Sequence, residues 1–106
     1  MNQVEVIARW IMGWKLNRWD RWYDPEKDLF IYEFQPEENL VHAKMIVERL
    51  EQFGFTYTYS SNGVFEVCFN DVCETGETLA QAITNTAYSI AEVDSIDENW
   101  LPDQQD

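Results

Sequence analysis

Apolar positions along this chain follow two periods, and the switches between them mark out the elements. Val4, Ile7, Ala8, Ile11 and Met12 recur every three or four residues, which predicts an amphipathic helix from about Gln3 to Gly13. Gly13 serves as its stop or as a point of close packing. The stretch from Trp14 to Pro25 is dense in Trp and Arg and ends in the turn pair Asp24-Pro25. Leu29 to Phe34 alternates large apolar groups and predicts a strand. Pro36 suits the first position of a second helix, with Glu37 and Glu38 in the dipole-complementing first turn. Its buried stripe is expected at Leu40, Ala43, Val47 and Leu50, with Ile46 and Phe53 at the margins and Gly54 as terminator.

The period then becomes two. Phe55, Tyr57 and Tyr59 alternate with Thr56 and Thr58, as a half-buried strand does. Ser61-Asn62-Gly63 supplies a hairpin turn, and Phe65, Val67 and Phe69 form the return strand with Glu66 and Asn70 facing away. Thr75 and Gly76 lead into a third helix carrying Leu79, Ile83, Thr86 or Ala87, and Ile90 on its inner face, ending near Val93. The order α-β-α-β-β-α predicts an α+β domain over residues 1–93 with a small, mostly antiparallel sheet. Residues 94–106 read as an acidic C-terminal tail.

Charge changes this picture from a fold into a set of partners. The chain of 106 residues carries 7 Lys+Arg against 20 Asp+Glu, for a formal charge of −13. All seven cations (Arg9, Lys15, Arg18, Arg21, Lys27, Lys44 and Arg49) precede residue 50. Nine acids accompany them, leaving that part at −2, while the remainder holds eleven acids and no cation. Such a field repels nucleic acid and anionic membranes and attracts basic surfaces. An acidic face also keeps a protein soluble without further purpose. The hydrophobic content of 45% excludes a disordered chain. No apolar run approaches a membrane span, and no signal peptide is legible, so a soluble, intracellular, single-domain protein is expected.

Candidate chemistry is sparse. Cys68 and Cys73 are expected to be reduced thiols rather than a structural bridge. A zinc site takes about four ligands, and His42, the single histidine, lies far off on the second helix; no metal site and no cofactor are expected. His42 reads as an exposed or partly buried structural residue. There is no Gly-x-Ser-x-Gly elbow and no phosphate-loop glycine spacing. The calcium-loop likeness of Asp71 to Gly76 fails, because Ala82 stands where a bidentate Glu is required. The carboxylates are too numerous for any pair to signal acid–base work. Interleaved Arg and aromatic residues at Trp14, Arg18, Arg21, Trp22 and Tyr23 could stack on a base and neutralise a phosphate. Core packing and sheet cover by the tryptophans account for the same residues.

The segment Ile7-Ala-Arg-Trp-Ile-Met-Gly-Trp14 resembles the opening V-A-x-x-V-M-G-W signature of the phage ABA-sandwich domain, a family of small phage and prophage proteins. Phe34-Gln-Pro36, followed by the helix around Ala43, resembles that family's F-x-P-S segment, with Glu37 in place of the serine. Phe65 to Phe69 and Leu79 to Ala91 are similar in kind to its closing strand and helix. The resemblance implies a three-layer α/β/α sandwich without established catalytic residues, expressed in the host bacterial cytoplasm. It points towards a non-enzymatic inhibitor of host defence, anti-CRISPR-like, that meets a basic effector with acids. Glu66, Asp71, Glu74 and Glu77 are the expected partner-binding corner, and a homodimer is compatible with this. The alternative is a binder of a nucleotide signal through the Trp–Arg segment.

Overall fold

The computed structural model of the chain describes residues 3–19 and 21–100, with side chains followed as far as Glu92. Its elements are α1 (Gln3–Trp10), β1 (Lys15–Leu16), β2 (Trp22–Asp24), β3 (Leu29–Ile31), α2 (Leu40–Gln52), β4 (Tyr57–Asn62), β5 (Val64–Phe69), β6 (Val72–Gly76) and α3 (Leu79–Trp100). The α+β class and the antiparallel pairing are as expected. Instead of one small sheet there are two, each of three strands in the order β1-β2-β3 and β4-β5-β6. Among the described residues no helix is long and apolar enough to cross a membrane.

The second sheet is built on alternation. Val67 and Phe69 are fully buried, whereas Val64 and Glu66 are exposed, so one face of β5 meets the core and the other meets water. The third strand was not evident in the sequence. It follows a two-residue connection, Asn70-Asp71, with Phe69 opposite Val72. Asn70 takes φ 57°, a left-handed conformation that asparagine tolerates. Its amide N–H donates to the Thr56 carbonyl and its Oδ1 accepts from the Thr56 N–H, which ties this turn to the start of β4. In the same register Cys68 stands directly opposite Cys73, and the two form a disulfide. The expectation of free thiols is corrected by that pairing, which becomes visible only once Val72 to Gly76 is read as a strand.

α3 is the element the others share. It packs on β5 and β6 and also against α1 and α2, burying Ala80, Ala82, Ile83, Ala87, Ile90 and Ala91. Gly76 lies so close that a Cβ there would stand 2.6 Å from the Ala82 backbone nitrogen. Thr86 is buried and donates from Oγ1 to the Ala82 carbonyl at 2.8 Å and the Val67 carbonyl at 3.0 Å, joining helix to sheet. The helix continues through residues 94–100, past the helix end expected near Val93; residues 101–106 lie outside the described residues.

α1 buries Val6, Ile7 and Ala8, and Ile11 and Met12 just beyond it join the same core. Gly13, at φ 74°, both ends that segment and makes room for Arg49, whose Nη2 would lie 3.3 Å from an added Cβ. α2 begins later than expected. Asn39 caps it by accepting from the Val41 and His42 N–H groups, and Pro36 sits buried in the preceding turn rather than in the first helical position. The later start explains a shifted stripe. Ala43, Ile46, Val47 and Leu50 are buried, whereas Leu40 is 41% exposed on the first turn.

Candidate functional site

The four acids expected to form one corner are distributed over different faces. Glu66 projects from the open face of β5, beside Cys68 two residues on. Glu74 pairs with buried Val67 across the ladder and therefore points to the opposite, helix side, where its Oε2 accepts from Ser89 Oγ at 2.9 Å. Asp71 is exposed in the β5–β6 turn. Glu77 is exposed before α3, and its backbone N–H donates to Gln81 Oε1 at 2.7 Å. Glu66 and Glu74 are thus separated by the sheet itself. The alternation that predicts Glu66 as outward also predicts this separation, once β6 is recognised as a strand.

The Trp–Arg segment is divided as well. Trp14 is 3% exposed and meets Phe34 edge-on with ring centroids 4.8 Å apart, so it belongs to the core. Trp22 is half-buried against that core, with the Arg9 guanidinium 5.4 Å from its ring centre. Arg18, Arg21 and Tyr23 remain on the surface side of the first sheet. Arg18 lies over Trp19 at 4.9 Å and Arg21 over Tyr32 at 4.7 Å, distances that allow cation–π attraction. Trp19 and Tyr32 are 68% and 65% exposed. Tyr23 packs on Phe30 and donates its phenol proton to Asp28. That hydrogen bond is the main cause raising the Tyr23 pKa above its ordinary value.

Pairing explains the grouping. Lys15, Tyr23 and Phe30 stand opposite one another across the three strands, while Leu16, Trp22 and Ile31 share the other face. With Leu16, Asn17 and Trp19, the first three line an open apolar depression of about 380 Å³. The turns that join these three strands are held by side chain to backbone bonds. Asn17 Oδ1 accepts from the Trp19 and Arg21 N–H groups, and buried Asp24 accepts from the Glu26 and Lys27 N–H groups. Phe30 and Tyr32 join this face from the strand expected over Leu29 to Phe34, whose alternation of large apolar groups carries no signal for a ligand. Asp20 lies outside the described residues.

His42 is half-buried on α2. Its Nδ1 accepts from the Gln35 N–H at 3.0 Å and its ring lies beside Phe34. Arg49 is the best-connected cation, donating from Nε to the Ile11 carbonyl and pairing with Glu26 at 3.2 Å. What these pieces define is a small α+β domain with two contrasting sheet surfaces. The family model of the phage ABA sandwich domain matches residues 5–88, and the chain belongs to that family. No curated protein and no solved structure matches it.

Proposed function

We propose that the protein is a non-enzymatic phage or prophage inhibitor of a bacterial defence system, acting in the host cytoplasm. Its target is a basic nucleic-acid-binding effector, in the manner of an anti-CRISPR protein. The observation carrying this reading is that β4, β5, β6 and α3 form one packed unit from a stretch of chain without a single Lys or Arg. Exposed Glu66, Asp71 and Glu77 occupy different sides of that unit, so its field is negative over an extended surface rather than one corner. Such a field speeds encounter with a positive channel and rejects polyanions. The only histidine is occupied in holding Gln35, which supports a binding role over catalysis. The test is inhibition of DNA binding by a panel of purified RNA-guided effectors at low and high salt. Salt-sensitive inhibition of at least one supports the reading, and inhibition of none across the panel contradicts it.

A second reading has its own observation, the depression lined by Lys15, Trp19, Tyr23 and Phe30 with Arg18 and Arg21 nearby. A nucleotide signal could stack there with its phosphates on the cations. Saturating nucleotide at a hundred times its dissociation constant would add about 2.7 kcal/mol of stability. A thermal-shift series over mono-, di- and cyclic nucleotides detects this, and no shift with any of them excludes it.

A further inference from the structure

The open face of the second sheet carries one cluster whose sulfur chemistry neither reading uses, although its Glu66 belongs to the acidic surface. Glu66 and Cys68 are two residues apart on β5, so both project from its water-facing side. Cys73 on β6 is directly opposite Cys68, with Cα atoms 4.1 Å apart. The two sulfurs and a Glu66 carboxylate oxygen all lie within 4.8 Å of one another. Cys73 and Glu66 are exposed and Cys68 is half-buried, so reductants and ions reach the cluster from solvent.

We propose that Glu66, Cys68 and Cys73 form a redox-gated site for a thiophilic divalent cation of the zinc class. The disulfide is the closed state. A dithiol reductant opens it, transferring two electrons and two protons; the reductant becomes a disulfide and the S–S bond becomes two thiols. Binding of M²⁺ then displaces two thiol protons and leaves a dithiolate complex, with the Glu66 carboxylate as third ligand and water in the fourth position. Two thiolates and one carboxylate suit zinc, which accepts sulfur and oxygen donors in a tetrahedron. Donors on one tetrahedral zinc stand roughly 3.5–3.8 Å apart, given bonds of about 2.0–2.3 Å. After reduction the two sulfurs, bonded to each other in the disulfide, therefore move apart to that spacing, while the Glu66 carboxylate, within 4.8 Å of both, draws modestly closer.

The site does not depend on the disulfide for its assembly. Val67 and Phe69 are fully buried on the opposite face, and a one-residue slip of β5 would turn both outward. The two-residue Asn70-Asp71 turn sets the register of β6 on β5 without the disulfide, and Asn70 is itself anchored to Thr56 beside β4. The two thiols therefore stay opposite each other after reduction. A dication also lowers the local negative charge in a region of sequence that has no cation of its own.

The test uses the full chain, reduced with a phosphine and freed of reductant under anaerobic conditions, with its fold checked by circular dichroism. Zn²⁺ is titrated against a chromogenic chelator, and Cd²⁺ is followed by its thiolate charge-transfer band. The expected result is one equivalent bound by reduced protein and none by oxidised protein. Cys73→Ser should abolish the cadmium band. Glu66→Gln should keep the band but weaken affinity by more than about tenfold, a loss already reached by removing a group behind a ligand. Reduced protein that binds no more tightly than Cys68→Ser/Cys73→Ser overturns the site. Unfolding on reduction, half an equivalent with dimerisation, or no effect of Glu66→Gln would each overturn it too.

Discussion

The two three-stranded sheets share a strand order and differ in what holds them. β4 and β5 are six residues long and β6 five, and α3 covers one face of the sheet they form. β1 has two residues and β2 and β3 three each, and their turns rest on the side chains of Asn17 and Asp24. Apolar burial fixes which face of the longer sheet is inner. In the shorter one, aromatic rings as large as Trp19 and Tyr32 stay exposed under guanidinium groups. A sheet held by its turns can spend its aromatic faces on recognition, whereas one held by its core offers partners only charge and edge.

Truncation should reveal this contrast most strongly. Phe69→Ala removes a fully buried ring and should cost about 3–5 kcal/mol. Trp19→Ala, although a larger deletion, should stay within about 0.5 kcal/mol because the ring is mostly in water. Urea unfolding of both variants checks the pair, and equal losses would mean that the shorter sheet has a core of its own. Next in size is Gly76→Ala, where a methyl group would press on the α3 backbone. Overpacking of that kind costs about 1–3 kcal/mol, seen as a lower urea midpoint.

Thr86→Val should come third. It keeps the shape but removes the hydroxyl donor to Val67 and Ala82, a loss of about 1 kcal/mol. Hydrogen exchange should then quicken in β5 and α3 while β1–β3 stay unchanged. The smallest effect concerns titration. Tyr23 has its pKa raised chiefly by its hydrogen bond to Asp28, and Tyr57 chiefly by burial. A raised pKa means the folded state prefers the protonated phenol. That stabilisation is therefore complete below the ordinary tyrosine value of about 10 and is lost as pH climbs through the folded value. Absorbance titration should show late-ionising tyrosines, with one such component absent in Tyr23→Phe.

Legibility in the sequence followed the same division. The β4–β5 hairpin was readable because its alternation decides which side is buried, and α1 because Ile7, Ala8, Ile11 and Met12 repeat at helical spacing. β6 escaped because Cys73, Glu74 and Thr75 carry no apolar alternation; its pairing comes from the Asn70 turn and from α3 side chains such as Ser89. The start of α2 was misplaced because proline and two glutamates satisfy the chemistry of a first turn as well as that of the turn before a cap. Charge segregation was fully visible in the sequence. The acidic corner was not, since separating Glu66 from Glu74 requires the register of a strand that local pattern does not reveal.

Association kinetics of two charge variants test the central claim, that the cation-free half meets the partner, most directly. Glu66→Lys/Asp71→Lys/Glu77→Lys changes only exposed positions of the β4–β6 and α3 unit. Arg18→Ala/Arg21→Ala changes the shorter sheet by as simple a surface alteration. Against an inhibited basic effector, the first variant should associate far more slowly than the native chain and lose most of the dependence of its rate on salt. The second should associate as the native chain does. Native association by the folded acidic-half variant, with loss in the arginine variant, would contradict the account and move the functional surface to the first sheet.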